Sequence, residues 1–410
     1  MSDAQTLNAT IATHAPAARK LLSPMGRRIW FPSGVPAQAA DARDCPINAT
    51  IGQLTNGHRK SIPLPVLARH TTELPPEEVF FYSPQGGQRG LRAAWRKRIL
   101  ERAPTRASLP VVTSGLTHGL SLLGDLLVDA DTEVLLPSPC WGNYHLIFGA
   151  RAEGQIRSYS VVRGSGFDVN ALREAIQQCT KPAVLVLNVP SNPVGYSPTL
   201  AEADAIVEQI EQSPVPLAVI CDDAYHGMVW DEGLQTTSLF HRLSHCDPER
   251  LLAIKVDGAT KELFFFGGRV GFVTFGTDGP AAAALENKML GLARSSISTA
   301  PTSSQSLVAR ALAHPDTPAH VEQILEDIRQ RYHALKAGLD ANGIEYLPFN
   351  SAFFALIKVR RPPHDVRRAL LADGVGVVAA PDAGAVRVSY ASVALDDIEA
   401  LVAALARHAG

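Results

Sequence analysis

Lys261 and Arg269 are the side chains in this sequence best suited to chemistry. They sit eight residues apart within residues 251–275, LLAIKVDGATKELFFFGGRVGFVTF, between two apolar runs that read as buried strands. Burying an ammonium costs several kcal/mol unless it is paired or neutralised. A desolvated amine with a lowered pKa is what Schiff-base chemistry on an aldehyde requires. Arg269 adds a fixed charge and a forked donor set suited to a phosphate. The pair points to an aldehyde that carries a phosphate, for which pyridoxal phosphate is the obvious candidate. Read alone, the same two residues fit a solvated loop lysine and a surface arginine equally well.

Composition narrows the classes. The 410 residues are 46% hydrophobic and 19% charged, with a formal net charge of −2. That describes a folded protein of two or three domains with no overall field to draw nucleic acid or an anionic membrane. No apolar run is long enough to span a bilayer, and the N-terminus lacks a signal core, so a cytoplasmic location is expected. The five cysteines are scattered without CxxC spacing, which suits a reducing compartment and no metal site.

The elements that must position Lys261 are read along the chain. Residues 1–45 form a basic, proline-containing arm. Gly52 follows a β-prone stretch, where a glycine lets backbone approach a ligand or simply makes a turn. Residues 80–100 read as a loop holding Tyr82, then a basic amphipathic helix whose arginines are expected on a solvated face. A strand at 110–113 runs into Ser114, Gly115, Leu116 and Thr117 at the start of an apolar helix, a ready anion site or a plain helix cap. Three more strands (133–137, 183–187 and 217–220) run into Trp141, into Asn192, and into Asp222 and Tyr225. Open α/β sheets bind ligands at such strand ends. The alternation predicts an α/β fold with a largely parallel, doubly wound sheet. Arg294 lies in a polar interruption. A helix over about 318–342 leads into a small α+β domain in which Arg387 sits on a short strand, either facing water at an edge or buried and wanting an anion.

In the order of these motifs, from about Ile47 onward, the sequence resembles the class I aminotransferases of the large fold-type-I pyridoxal-phosphate family, which includes aspartate aminotransferase. The resemblance implies a homodimer with shared active sites, acting on amino-acid and 2-oxo-acid substrates; the charge balance already argues for neither nucleic acid nor membrane as a partner. It implies an arm (1–60) contributing to the small domain, a large cofactor-binding domain (61–310) and a small C-terminal domain (311–410). By the same resemblance, Lys261 matches the lysine that forms the internal aldimine and carries the proton. Arg269 matches the phosphate arginine, within Gly267, Arg269, Gly271. Asp222 matches the carboxylate at the pyridine nitrogen, and Tyr225 and Asn192 the partners of the phenolic oxygen. Trp141 matches the stacking aromatic, and Gly115, Leu116 and Thr117 the phosphate turn. Tyr82, with Gly87, Leu91 and Arg92, matches the segment that reaches the neighbouring subunit's phosphate. Arg387 matches the grip on the substrate α-carboxylate, and Arg294 the arginine that reads a side-chain carboxylate across the dimer.

The sequence departs from the family pattern at Gly258, where a serine is usual, with Thr260 a partial substitute. It departs again at Val194 and at Gly268, the last expected to open space above the cofactor for a bulky substrate. Transamination is the leading reading. The alternative is a specialised enzyme of secondary metabolism using the same cofactor for β- or γ-elimination, replacement or carbon–carbon bond formation. A regulatory protein with this body would need a helix-turn-helix domain or a lost lysine, and the sequence has neither.

Overall fold

The computed structural model describes residues 3–31, 34–56 and 60–409. Its centre is a seven-stranded sheet. The strands are β1 (Val111–Thr113), β2 (Glu133–Ser138), β3 (Gln155–Ser160), β4 (Ala183–Asn188), β5 (Leu217–Asp222), β6 (Leu251–Gly258) and β7 (Gly271–Phe275). They lie in the order β1-β7-β6-β5-β4-β2-β3. Strands β3, β2, β4, β5 and β6 run parallel to one another, whereas β7 runs antiparallel to both β6 and β1. Residues of β4 are buried without alternation, the mark of a strand covered on both faces. The expected α/β, mainly parallel doubly wound sheet is therefore present.

The direction of β7 has a consequence for the site. Parallel strands bring their C-terminal residues to one edge, and the register sets Asn188 beside Asp222 there. Because β7 is antiparallel, it enters the sheet at that same edge, with Gly271 opposite both Gly258 and Thr113. Arg269, just before β7, thus meets the turn just after β1. A Cβ on Gly271 would lie 2.6 Å from the Gly115 carbonyl carbon and 2.7 Å from Leu116 N, so only glycine admits this approach.

The helices α1 (Arg89–Arg102), α2 (Leu116–Leu127), α3 (Gly279–Ser296) and α4 (Thr302–Ala313) belong to this larger part. The basic face of α1 is only partly solvated: Arg89 and Lys97 are exposed as expected, but other arginines are engaged. Arg92 donates to Pro110 O and to Glu286, each at 2.6 Å. Arg98 and Arg102 converge on buried Glu262 at 2.8 and 3.2 Å. Counting charges along the helix gave no sign of these partners, which lie far away in sequence.

The long helix α5 (Thr317–Ala341) leads to a second sheet of β8 (Phe354–Lys358), β9 (Val378–Ala380) and β10 (Ala385–Ser389), with β10 central. The helix Pro363–Ala372 lies against β9 and β10, and α6 (Ile398–His408) packs on α5 and on that helix. The N-terminal segment joins this part: Ile47–Asn48 pairs in parallel with Val375–Gly376. Among the described residues no helix is long and apolar enough to cross a membrane.

Candidate active site

A cavity of about 280 Å³ opens at the C-terminal edge of the main sheet. Eleven predicted residues line it: Gly52, Leu116, Thr117, Trp141, Asn192, Asp222, Tyr225, Thr260, Lys261, Arg269 and Arg387. Gly115 lies against it, because a Cβ there would sit 2.4 Å from Arg269 Nη2. Two predicted residues are elsewhere. Tyr82 is 91% exposed in the single chain. Arg294 is exposed on α3, away from the cavity lining.

Lys261 follows β6 on a short helix, Ala259–Glu262. Its Nζ stands 5.1 Å from the centre of the Tyr225 ring. Burial lowers its amine from 10.5 to about 8; Asp222 opposes this and Arg269 adds to it. A sizeable fraction is therefore uncharged near neutrality, as a nucleophile or proton carrier requires.

Asp222 ends β5. Burial pushes its carboxyl up, opposed by Tyr144, Lys261 and the Ala224 amide. Tyr144 donates to Asp222 Oδ2 at 2.5 Å and Ala224 N to Oδ1 at 3.2 Å. Asn188, at the end of β4, donates to Asp222 O at 2.9 Å and accepts from Asn192 N at 2.7 Å. The sequence reading missed Tyr144 and Asn188. The available signals were Tyr144 three residues beyond Trp141, and a polar terminus on the apolar run AVLVLN.

Arg387 is only 7% exposed and lies on the central strand of its sheet, which removes the reading of an edge residue facing water. Its Nη2 donates to Thr50 O at 2.7 Å, and its guanidinium lies 4.7 Å from the centre of the Phe354 ring. Its Nε is buried without a hydrogen-bond partner among the described residues, and so is Thr260 Oγ1. Gly258 leaves no room for a serine, since a Cβ would meet Val270 O at 2.5 Å. Gly268 does not open the cavity. A Cβ there would lie 2.0 Å from the Phe265 ring, which fills that space.

These features fit a phosphorylated pyridine aldehyde. Lys261, Arg269 and Arg387 form no ion pair among the described residues, and Asp222 alone supplies negative charge beside them. Leu116 and Thr117 begin a 12-residue helix, where the first N–H groups have no intrahelical acceptor and favour an anion. Thr260 Oγ1 and Arg387 Nε, both on residues lining the cavity, are two of nine buried polar atoms without a partner among the described residues, and they are free to bond a ligand there.

Comparison with known proteins agrees with this chemistry. Residues 46–405 match the family described as aminotransferase class I and II. The aspartate/prephenate aminotransferase of Thermus thermophilus is 29% identical over 335 residues, covering 76% of this chain and 79% of the relative. The probable N-succinyldiaminopimelate aminotransferase of Mycobacterium tuberculosis is 28% identical, with 73% of each chain covered. The 1-aminocyclopropane-1-carboxylate synthase 8 of Arabidopsis thaliana is 27% identical over 61% of this chain, which spans only about half (54%) of that protein. In fold, an aminotransferase from Anaerococcus prevotii superposes with a TM-score of 0.83 at 19% identity, covering 93% of this chain and 98% of the other. The Thermus thermophilus aspartate aminotransferase with maleate gives 0.74 at 23% identity, again covering 93% and 98%. The chain belongs to the aminotransferase class I and II family.

Proposed function

We propose that this protein is a pyridoxal-phosphate-dependent aminotransferase that moves an amino group between an L-amino acid and a 2-oxo acid, working as a homodimer. The observation that carries this reading is the convergence of Lys261, Asp222 and Arg387 on one cavity in which three cations go unpaired. The cofactor, when bound, supplies an aldehyde for amines and a ring that accepts the electron pair left at Cα.

The remaining work falls to the chain. Arg269, the Thr260 hydroxyl and the Leu116 and Thr117 amides hold the phosphate. Asp222, kept in place by Tyr144 and Asn188, keeps a proton on the ring nitrogen, a charge placed where it is needed in the transition state. Tyr225 and Asn192 bond the phenolic oxygen, and Trp141 covers the ring. Arg387 grips the α-carboxylate beside the Gly52 backbone, which orients Cα–H toward Lys261. Lys261 Nζ would then take that proton and deliver it to the carbon that carries the cofactor's aldehyde, on the other side of the amino nitrogen.

The exposed run Phe80 (81%), Phe81 (68%) and Tyr82 (91%) supports a partner subunit covering this surface, with Tyr82 reaching its phosphate site. Arg294 would then read a side-chain carboxylate across the interface. On the same reading the chain divides into arm (1–60), large domain (61–310) and small domain (311–410), with the cavity between the last two. The five cysteines are all free, which supports a cytoplasmic, reducing setting.

The test is an absorbance spectrum of protein supplied with pyridoxal phosphate, followed by borohydride reduction and peptide mapping. The expected result is cofactor mass on Lys261 and bleaching by an amino donor that 2-oxoglutarate reverses. Aspartate is the first donor to try, given the relatives' names, followed by a panel of other L-amino acids. Product formation with the aldehyde colour retained and no amine form accumulating would favour elimination or replacement instead. No adduct on Lys261 would end the proposal.

A further inference from the structure

The turn between β1 and α2 is held by a side chain that neither the sequence motifs nor the family match singles out. Ser114 N–H donates to His118 Nδ1 at 3.1 Å, one helical turn further on. On its other side, His118 Nε2 lies 3.1 Å from Ser296 Oγ at the end of α3. Only one tautomer satisfies both contacts. Nδ1 accepts from a backbone amide, so the proton sits on Nε2, which donates to Ser296. Ser296 Oγ in turn donates to Leu292 O at 3.0 Å. The result is a one-way chain of donors from the turn into the body of α3.

The geometry leaves the turn little freedom to hold itself. Gly115 has φ of +79°, a conformation other residues rarely adopt. The Arg269 guanidinium occupies the place where a Cβ on Gly115 would be. The Gly115 carbonyl is used by the amides of His118 and Gly119 and by Thr113 Oγ1. The Ser114 amide is the group whose partner comes from a side chain. Burial, with Arg151 adding and Asp125 opposing, keeps the imidazole below the ordinary histidine range, so Nδ1 is free to accept at neutral pH.

We propose that His118 is a positioning residue for the phosphate: by accepting from Ser114 and bracing against Ser296, it fixes the Gly115, Leu116 and Thr117 backbone in its anion-holding conformation. This rests on the pyridoxal-phosphate reading above. It assigns His118 to retention of the cofactor's phosphate and not to the chemical step.

The test compares binding of pyridoxal phosphate and of pyridoxal, which lacks the phosphate, to wild type and to three variants. His118→Ala removes both bonds. Asn places an oxygen near the Nδ1 position, so His118→Asn keeps the Ser114 bond; Gln places its amide near Nε2, so His118→Gln keeps only the Ser296 contact. His118→Ala is expected to weaken pyridoxal phosphate about 3–10-fold, the worth of one hydrogen bond, and to leave pyridoxal unchanged. His118→Asn is expected to recover most of that binding, falling short of wild type by the lost Ser296 brace, and His118→Gln is not. Amide hydrogen exchange across residues 113–117 of the cofactor-free protein should rise in the Ala and Gln variants alone. Equal loss of both ligands, unchanged binding in His118→Ala, or no rescue by His118→Asn each overturns the proposal. Should the Ala variant not fold, the Asn and Gln pair decides it. A wild type that binds neither ligand removes the cofactor reading itself, and this inference with it.

Discussion

Asp222 and Asp223 are neighbours on one strand end, and Lys261 and Glu262 are neighbours on one short helix, yet each pair is split between two environments. Asp222 and Lys261 line the cavity. Asp223 and Glu262 belong to a buried ion network behind it. There Lys255, with no exposed surface, pairs with Asp223 and lies 3.3 Å from Asp257. Asp257 also accepts from Trp95 Nε1 at 2.9 Å, and Glu262 accepts from Arg98 and Arg102. Burial opposes the charge on Lys255, but the two carboxylates outweigh it and hold the ammonium. In the cavity the cations are left without such partners. A buried charge with counter-charges is accounted for by folding, whereas one without them needs a ligand.

That contrast is open to experiment. Lys261→Met should cost about 10²–10⁴-fold in turnover, the range for a lost proton carrier, while the melting temperature of the cofactor-free protein holds or rises. Lys255→Met should do the reverse, costing about 3–5 kcal/mol of stability in denaturant because it strands two buried carboxylates. If both lysine variants melt alike, the division fails. The aspartates sharpen it. Asp222→Asn should lower turnover by about 10²–10³-fold with little change in melting. Asp223→Asn should destabilise by about 1–3 kcal/mol and spare the cofactor's absorbance, since Asp257 still faces Lys255.

The smallest expected effect is one of pH. The Lys261 amine titrates at about 8 when folded against an ordinary 10.5. Between those values the unfolded chain holds a proton that the folded chain has lost, so cofactor-free stability should rise across that window. Below it the cost of the charged amine is fully present. Denaturant titrations from pH 7 to 11 should show this slope in wild type and not in Lys261→Met. The rate of cofactor capture should likewise climb to a plateau above about pH 8, with a lower midpoint in Asp222→Asn, where the opposing carboxylate is gone.

How much of this was legible in the sequence follows from where partners lie. Strand ends declare themselves locally, as apolar runs stopped by Asn, Asp or Gly. Asn192, Asp222, Lys261 and Arg269 could therefore be singled out one by one, and the doubly wound sheet with them. Lys255 escaped notice although it breaks the run LLAIKV, because its carboxylates come from another strand and from two residues along its own. Arg92 and Arg98 of α1 were misjudged for the same reason, since Glu286 and Glu262 stand more than a hundred residues away. Gly268 was read as empty space because no linear pattern shows that Phe265 folds back over it.

One contact described above ties the two ends of the polypeptide together. Arg387 is aimed by the carbonyl of Thr50, in a segment stitched to the last quarter of the chain by Ile47–Asn48 and by the Ser392 hydroxyl on Asn48 O at 2.9 Å. None of the main sheet's hydrogen-bonded pairs involves that segment. On the proposed reading, in which Arg387 holds the substrate carboxylate, loosening the segment around Thr50 should weaken capture of amino acids more than uptake of the cofactor.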